Sequence, residues 1–428
     1  MESMPLQPRR RPVTHRWGVL RGALLLIAGA AMVAYTSRAG PQSRVPRRDA
    51  NLARLTGETA RRSPSSPHIF FVFVDDMGAN DVGYQSADLR GLTPTLDALA
   101  ADGVTLRAYY SMHMCTPARA ALYTARYPST IGMQYENIKP DQPWGLPLDQ
   151  TLLPALLKRH AGYRTHLVGK WNQGFGASVE LPTRRGFDSF FGYLSDEVNY
   201  YKHTYPSPFA VSEKVRAATP RMLEAEAPLG GAPPPPPAGP AAASGVYMKD
   251  MAYATNASGE LEFFDDAADT FTSTLYTARA RELVREHAAS FARAGAPLFL
   301  LYAAQTVHGP LDTPPRALLS AAQWAQLDGF ASARRRTFGA LAAALDGSVG
   351  AIKAELELGA LWNDTVLVFA SDNGGCLAEG GSNAPFRGGK HFLFEGGVRV
   401  PAFVHSPLLP DAAKGATRDM LFLSLIHI

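Results

Sequence analysis

The chain has 428 residues, enough for one large α/β domain or two ordinary domains. A hydrophobic fraction of 46% and a charged fraction of 19% are normal for a globular protein with a sizeable core. The net charge of +4 comes from residues 1–62, which hold 12 Arg, no Lys and 3 acidic residues, so the remaining 366 residues carry a charge of −5. This distribution argues against nucleic-acid binding, which needs clustered Lys and Arg on the folded domain itself.

The first 36 residues have the pattern of a targeting segment. The run 22–36 is apolar and follows arginines at positions 9, 10, 11, 16 and 21. A basic region before a short apolar run predicts a signal peptide over residues 1–36. An uncleaved signal anchor is an alternative, because the run is not far below the minimum for a membrane span, and a disordered basic tail is another. Residues 37–66, rich in Arg, Ser and Pro, are predicted to form a flexible stem.

Strand and helix patterns alternate from residue 67 onwards. His68–Val74 is an unbroken apolar run, typical of a strand buried on both faces of a parallel sheet. Similar runs predict further strands at 163–168, 297–303, 365–370 and, less regularly, 399–405. Helical patterns lie at 94–101, 152–161, 276–294 and 330–359, and Gly103 and Gly162 are predicted to cap the first two. The alternation predicts an α/β domain with a mostly parallel sheet.

Two segments are expected to stand apart from this core. Residues 227–245 include five consecutive prolines and predict a mobile loop insertion of low complexity. Residues 420–428 form an apolar run with no segment after it to act as a partner. The predicted folded domain is therefore 67–419, and the chain is expected to stop partway into the fold.

Polar residues follow four of the predicted strands. They are Asp75, Asp76, Lys170, His308, Asp372 and Asn373. Because open α/β sheets bind ligands beyond the carboxyl ends of their strands, we expect these side chains to meet at one edge. The oxygen ligands of Asp75, Asp76, Asp372 and Asn373 suit Ca²⁺ or Mg²⁺, and no cluster with zinc spacing accompanies them. The alternative, that the adjacent acids only cap the next helix, is weakened by the convergence of four strand ends.

A second group of residues surrounds Cys115. Pro117 suits the first turn of a helix, so Cys115 is predicted to lie at a helix N-terminus, where free N–H groups favour an anion. Arg119 follows one turn later. In isolation, a capped buried cysteine or a thiolate nucleophile of the phosphatase kind fits the same pattern. The chain has one other cysteine, Cys376, and a bridge between the two stays open.

Taken together, the motifs resemble those of type I sulfatases. Cys115-Thr-Pro-Ala-Arg119 is similar to the C-x-P-x-R signature that the formylglycine-generating enzyme reads. The other motifs follow in the family's order: Asp75-Asp76-Met-Gly, Gly169-Lys170-Trp171, Ser371-Asp372-Asn373-Gly-Gly and Gly389-Lys390 with Glu395-Gly-Gly. The segments LPTRRGFD at 181–188 and Phe191-Gly-Tyr resemble the arylsulfatase branch that contains N-acetylgalactosamine-4-sulfatase, arylsulfatase B. The resemblance runs from about His68 to Pro407.

The resemblance implies a fold, a cofactor and a set of site residues. The fold would be alkaline-phosphatase-like, with a large mixed, mainly parallel sheet flanked by helices and with the family's C-terminal subdomain missing. One Ca²⁺ would be held by Asp75, Asp76, Cys115, Asp372 and Asn373, with Cys115 converted to formylglycine. The catalytic residues would be Cys115, Arg119, Lys170, His308 and Lys390.

The implied reaction is hydrolysis of a sulfate ester of a sulfated sugar or an aryl alcohol. The aldehyde made from Cys115 would hydrate, and one hydroxyl, polarised by Ca²⁺, would attack sulfur as the alcohol leaves. The second hydroxyl would then lose its proton, and sulfate would be eliminated as the aldehyde re-forms. Arg119 would steady the diol, while Lys170, His308 and Lys390 would hold the sulfate oxygens, with His308 or Lys390 assisting the leaving oxygen.

Three departures from the family pattern keep alternatives open. Asn172 stands where the family has the histidine of G-K-W-H, which is expected to accept the diol proton, and an amide cannot act as a base. Thr124-Ala125-Arg126 replaces T-G-R, which implies less efficient conversion of Cys115. The third departure is the missing subdomain. A low-turnover sulfatase-like protein that binds sulfated glycans and a phosphoesterase of the same superfamily are therefore the alternatives.

The resemblance also implies a location and partners. The chain would enter the secretory pathway and be lysosomal, secreted or lumenal and membrane-anchored, and it would touch a membrane only through the N-terminal segment. Asn256-Ala-Ser and Asn363-Asp-Thr would then be glycan acceptors. Its partners would be the sulfated substrate and the formylglycine-generating enzyme.

Overall fold

The computed structural model describes residues 66–205, 223–225, 246–248, 250–255, 261–263, 269–419 and 421–422. The predicted targeting segment, nearly all of the stem, the proline-rich insertion and most of 420–428 lie outside these residues, as does Asn256. Within the described part of the chain, no helix combines the length and the apolar character needed to span a bilayer.

The order of strands and helices follows the alternation predicted from the sequence. The strands are β1 (His68–Val74), β2 (Val104–Leu106), β3 (Tyr109–Tyr110), β4 (Arg164–Lys170), β5 (Ser189–Tyr193), β6 (Leu223–Ala225), β7 (Val246–Met248), β8 (Ala252–Thr255), β9 (Glu262–Phe263), β10 (Leu298–Ala304), β11 (Thr365–Ser371), β12 (Arg399–Val400), β13 (Ala402–His405), β14 (Ala416–Arg418) and β15 (Leu421–Phe422). The α-helices are α1 (Pro94–Ala101), α2 (Cys115–Thr124), α3 (Leu153–Ala161), α4 (Thr272–Ala294), α5 (Ala321–Asp328), α6 (Ala333–Leu358) and α7 (Glu395–Val398).

One sheet dominates the fold, with strand order β14-β2-β13-β11-β1-β10-β4-β5-β8-β9. Its centre, β11-β1-β10-β4-β5, is parallel throughout, while β13, β2, β8 and β9 join through antiparallel pairs. The prediction of a large mixed, mainly parallel sheet flanked by helices is confirmed. The four strands expected to deliver polar residues to one edge are neighbours in this parallel centre.

The central position of β1 in the sheet explains why its sequence is apolar at almost every position. All seven residues of β1 are buried. Phe70, Val72 and Val74 belong to a core cluster that includes α4 and α6, whereas Ile69, Phe71 and Phe73 belong to a second cluster that includes α2 and α3. Because successive side chains of a strand point to opposite faces, a sheet covered by helices on both faces needs an apolar residue at each position.

Two local predictions were wrong. The run 399–405 is not one strand, because Pro401 separates β12, which pairs with β3 in a second sheet, from β13 in the main sheet. Proline has no N–H to donate to a ladder, which favours such a break. Gly103 is not a left-handed cap: a Cβ there would lie 2.5 Å from the Val404 carbonyl oxygen, so close packing accounts for the glycine. Gly162, with φ of 68°, is the left-handed cap that was predicted.

Candidate active site

The carboxyl ends of β1, β4, β10 and β11 bring the predicted polar residues to one edge of the sheet. Asp75 and Asp76 follow β1, Lys170 ends β4, and Asp372 and Asn373 follow β11. His308 lies four residues beyond β10. All of these side chains are buried, with exposed fractions between 0% and 5%, although every one of them is polar. Burial of so many polar groups requires that they compensate one another or bind a ligand.

The carboxylates and Cys115 surround a common point. The Cys115 Sγ lies 3.3 Å from Asp75 Oδ1 and 4.0 Å from Asp76 Oδ1. One ligand atom from each of Asp75, Asp76, Cys115 and His308 lies within 4.8 Å of the others. Asp372 joins them, because its Oδ1 accepts a hydrogen bond of 3.2 Å from the Asp76 N–H. The fold therefore brings together residues that are up to 297 positions apart in the sequence.

Three cations match the three carboxylates. Arg119 contacts Asp372 at 2.9 Å and Asp75 at 3.6 Å, Lys170 contacts Asp75 at 2.7 Å, and Lys390 contacts Asp76 at 2.8 Å. We call these six residues the charged cluster. Its formal charge is balanced, so a divalent cation would give it the positive charge that an anionic substrate requires.

Burial and these ion pairs act in opposite directions on the acidic groups. Burial opposes the ionisation of Asp75, but Lys170, His308 and Arg119 outweigh it and hold the pKa of that carboxyl well below its usual value. Burial likewise opposes the ionisation of Asp76, and Lys390 and His308 nevertheless lower its pKa. For Asp372, burial and the neighbouring Asp75 prevail and raise the pKa to about 7.

The residues fit a hard divalent cation. Asn373 donates its amide to Asp76 Oδ1 at 2.7 Å and to the Gly374 carbonyl at 2.9 Å, which turns its Oδ1 away from both. Among the described residues, that buried Oδ1 has no hydrogen-bond partner. A buried acceptor left without a donor is costly, and a cation would satisfy it. Three carboxylates with one amide oxygen form a donor set that suits Ca²⁺.

Cys115 lies where the sequence predicted, at the first residue of α2. Met114 precedes it in extended conformation, and Pro117 lies in the first turn. Burial, followed by Asp75, raises the pKa of the Cys115 thiol well above its usual value. The unmodified thiol is therefore neutral at pH 7, which is unfavourable for a thiolate nucleophile. Cys115 and Cys376 are both free, so the described structure contains no bridge between them.

Comparisons with known proteins bear on the family of this chain. The family model described as Sulfatase matches residues 67–420. The chain belongs to the sulfatase family. Arylsulfatase J of Mus musculus is 35% identical over 371 residues, which cover 87% of this chain and 52% of that protein. N-acetylgalactosamine-6-sulfatase of Homo sapiens is 28% identical over 363 residues, covering 82% and 59%. The chain thus spans little more than half the length of these relatives.

Solved structures share the same architecture. The complex of Ps i-CgsB with k-i-k-neocarrahexaose has 26% sequence identity and a TM-score of 0.65, and the match covers 84% of this chain and 70% of that chain. Phosphonate monoester hydrolase of Agrobacterium radiobacter has 18% identity and a TM-score of 0.50, which shows a likeness of fold alone. The resemblance to sulfatases is therefore confirmed, while the narrower resemblance to the N-acetylgalactosamine-4-sulfatase branch stays a prediction.

Asn172, the main departure from the family pattern, is fixed in a network of neutral groups. Its Oδ1 accepts a hydrogen bond of 2.8 Å from the Thr116 hydroxyl, and its amide donates to the Ile138 carbonyl at 3.3 Å. The Gln173 amide donates to the Thr116 carbonyl at 2.9 Å, and Asn137 Oδ1 accepts the Thr116 N–H at 3.1 Å. We call Thr116, Asn137, Asn172 and Gln173 the amide cluster. It borders Cys115 and contains no group that can act as a base near pH 7.

The histidines differ in their distance from Cys115. His166 lies four residues before Lys170 on β4, roughly 13 Å from it along the strand, and its Nδ1 pairs with the Ser189 hydroxyl at 2.7 Å. His308 instead has a ring nitrogen within 4.8 Å of the Cys115 Sγ, and its Nε2 lies 2.8 Å from Lys390 Nζ. Among the described histidines, the geometry favours His308 over His166 for proton transfer at Cys115.

A cleft of about 420 Å³ opens beside the charged cluster. Asp76, His308 and Lys390 are among the residues that line it. Its remaining lining residues are Met114, Glu136, Asn137, Lys139, Asp196, Glu197, Gly309, Pro310, Cys376, Glu379 and His391. Sequence reasoning missed Lys139 and Asp196, which pair at 2.5 Å across the cleft wall. Neither follows a predicted strand directly, so the rule that identified the other site residues gave no signal for these two.

Proposed function

We propose that this chain hydrolyses sulfate esters, using a formylglycine made from Cys115 and one Ca²⁺ held by Asp75, Asp76, Asp372 and Asn373. The observation that carries the proposal is the position of Cys115, which begins a helix 3.3 Å from Asp75 in a buried cluster of three carboxylates and three cations. When bound, the ion would supply Lewis acidity at the nucleophile and at the sulfate oxygens. The hydrated aldehyde would supply one hydroxyl for attack and a second for sulfate release.

The residues of the chain divide the remaining work. Arg119 bonds to Asp372 and to the Lys170 carbonyl, so it fixes α2 against β4 and β11 and holds Cys115 in place. Lys170 and Lys390 already contact the carboxylates and lie where sulfate oxygens would gather, so they can neutralise charge that develops during transfer. His308, hydrogen-bonded to Lys390, is the group best placed to exchange a proton with the leaving oxygen.

The names of relatives support a proposal for the substrate class. Names of relatives include arylsulfatase, steryl-sulfatase and N-acetylgalactosamine-6-sulfatase, and one solved relative holds a neocarrahexaose. We propose a sulfated carbohydrate as the substrate, with aryl sulfates as smaller alternatives. A low-turnover glycan-binding protein is the competing proposal, and the observation that favours it is the neutral amide cluster around Asn172.

The maturation route forms part of the proposal. The formylglycine-generating enzyme would act on Cys115 before folding buries it, in the lumen of the secretory pathway. Asn363 is exposed in the short turn Trp362–Asp364, where a glycan would be accommodated. A glycosidase-sensitive mobility shift of the eukaryotic product would support this route, whereas an unshifted cytosolic product would contradict it.

The test of the activity is expression of the full chain together with the formylglycine-generating enzyme. Mass spectrometry of the Cys115 peptide should show the aldehyde or its hydrate, and the protein should hydrolyse an aryl sulfate in a calcium-dependent manner. Cys115→Ser should lower turnover by at least about 10³-fold, because a serine ester lacks the second hydroxyl needed for release. Equal turnover by the serine variant would contradict the proposal and favour a phosphoesterase-like mechanism with a metal-bound water.

A further inference from the structure

One wall of the cleft carries a carboxylate that the proposed chemistry does not use. Asp196 is 2% exposed and lines the cleft. Its Oδ2 accepts a hydrogen bond of 2.5 Å from Lys139 Nζ. Among the described residues, its buried Oδ1 has no hydrogen-bond partner. A buried carboxylate oxygen without a donor is unfavourable, so this oxygen is suited to a ligand that brings a donor.

The segment that carries Asp196 is rigidly attached to the active site. It continues from β5, and both oxygens of Asp250 accept backbone N–H groups from it, from Leu194 at 2.8 Å and from Ser195 at 2.7 Å. The Asn172 N–H in turn donates to the Leu194 carbonyl at 3.1 Å. These bonds place Asp196 at a fixed position relative to the segment Lys170–Asn172, as a recognition residue requires.

Lys139 is held just as directly to the nucleophile helix. It follows Ile138 and Asn137, which bond to the Thr116 hydroxyl and to the Thr116 N–H at 3.0 Å and 3.1 Å. Its side chain is 42% exposed, so its ammonium can still donate to a ligand in the cleft. The Asp196–Lys139 pair therefore combines a carboxylate oxygen without a donor and an ammonium group that can donate to a ligand. Both residues line the same cleft as His308 and Lys390, which would hold the sulfate.

The charges around the pair indicate which donor it accepts. Lys139 already compensates the charge of Asp196, so a neutral donor suffices. Outside the charged cluster, three further carboxylates, Glu136, Glu197 and Glu379, line the same cleft and disfavour a second anionic group there. A hydroxyl group adjacent to the scissile sulfate meets both conditions, whereas a simple aryl sulfate has no hydroxyl to offer.

We propose that Asp196 and Lys139 form a sugar-hydroxyl subsite that selects a monosulfated carbohydrate over an aryl sulfate. The Asp196 carboxylate accepts a hydrogen bond from a hydroxyl beside the sulfate, and Lys139 donates to a neighbouring sugar oxygen. This subsite rests on the proposed sulfatase function and assigns specificity within it.

The test compares two substrate classes on one protein. Turnover of para-nitrophenyl sulfate and of monosulfated galactose and N-acetylgalactosamine is measured for the formylglycine-containing protein and for Asp196→Asn. In the variant, Lys139 keeps the amide oxygen as its acceptor, so the amide N–H₂ faces the cleft and the hydroxyl loses its acceptor. We expect kcat/KM for the best sugar to fall roughly 10- to 100-fold. The value for para-nitrophenyl sulfate should stay within about twofold.

Asp141→Asn is the matched control. Asp141 is an exposed carboxylate two residues after Lys139 and does not line the cleft, so removing its charge should leave both kcat/KM values unchanged. An equal fall for both substrates in Asp196→Asn, or no change in either, would overturn the subsite. So would turnover of the aryl sulfate without turnover of any sugar.

If neither substrate class is hydrolysed, the proposed function is contradicted. The subsite is then tested on its own by measuring the affinity for a sugar sulfate. Isothermal titration of N-acetylgalactosamine 6-sulfate, the sugar sulfate in the name of one relative, would then be compared for the unmodified chain and for Asp196→Asn in the presence of calcium. A roughly tenfold or greater loss of affinity in the variant supports the subsite. Equal affinities, or no binding by either protein, overturn it.

Discussion

Two buried polar clusters meet at Cys115, and their polar groups are compensated in different ways. In the charged cluster, three carboxylates are matched by Arg119, Lys170 and Lys390, and the amide oxygen of the adjacent Asn373 has no hydrogen-bond partner among the described residues. In the amide cluster, neutral groups pair around Thr116, and the one member oxygen without a hydrogen-bond partner among the described residues, Gln173 Oε1, lies in a group without carboxylates. The charged cluster contains residues that the resemblance to sulfatase motifs predicted, whereas the amide cluster contains the departure from those motifs at Asn172.

The difference assigns the two clusters to different stages of the proposed reaction. Charge and a bound cation support attack on sulfur, which needs electrostatic stabilisation. Release of sulfate needs a proton acceptor, and the amide cluster offers none. The comparison therefore predicts an enzyme in which the first stage is fast and the second is slow, unless His308 serves both stages.

The largest expected effect comes from placing a base in the amide cluster. Asn172 has φ of 49°, a left-handed conformation that histidine also tolerates, so Asn172→His should fold without a new backbone strain. A well-placed general base contributes about 10²–10⁴-fold, so steady-state turnover should rise by up to that amount. A rapid-mixing experiment with an aryl sulfate measures it: the unmutated protein should give a burst of phenol before slow turnover, and the variant should lose the burst.

Gln173→His is the control for that experiment. Gln173 belongs to the same cluster and is equally buried, but its amide bonds to backbone carbonyls, so a histidine there should not accelerate turnover. Fast linear turnover by the unmutated protein would contradict the two-stage division and would indicate that His308 already acts as the base.

The second prediction removes a cation from the charged cluster. Arg119→Met leaves Asp75 and Asp372 buried beside each other without their shared partner. Breaking a buried ion pair in this way typically costs about 3–5 kcal/mol, so the free energy of unfolding should fall by that amount when calcium is chelated. The loss should be smaller in saturating calcium, because the ion neutralises the same carboxylates.

Denaturant unfolding with and without calcium measures this difference. Arg107→Met is the control, since Arg107 and Asp419 are 63% and 65% exposed and pair at 3.0 Å, and a surface pair contributes at most about 1 kcal/mol. An identical loss for Arg119→Met in both conditions would show that the charged cluster does not bind the metal.

The same contrast explains how much of the site could be predicted from the sequence. β1 and β10 are unbroken apolar runs, and the strand-end rule predicted the three carboxylates and Lys170 of the charged cluster. Arg119 and Lys390 follow no central strand, so they were predicted from the helix spacing after the cysteine and from the resemblance to sulfatase motifs. Lys139 and Asp196 are 57 positions apart and lie in irregular segments. No periodicity brings such residues together, because the turns between regular elements decide their positions.

Short strands were missed for a similar reason. β2, β8 and β14 have three or four residues each, too few for an alternating pattern to appear. Their pairing is decided by the sheet edges already formed, so tertiary context outweighs local sequence there. The break at Pro401 was visible in the sequence, but the apolar residues on both sides concealed that they belong to different sheets.

The smallest expected effect concerns the far end of the helix that carries Cys115. Ala125 ends α2 with φ of 55°, in the left-handed conformation that glycine adopts without a steric cost. Because a Cβ there costs roughly 1–2 kcal/mol while glycine loses more chain entropy on folding, Ala125→Gly should raise the free energy of unfolding by about 0.5–1 kcal/mol. Ala120→Gly is the matched control, since this buried residue lies inside α2 and a glycine there should destabilise the protein. Thermal unfolding of both variants compares them. A destabilised Ala125→Gly would show that contacts of the alanine methyl group outweigh the strain of its backbone.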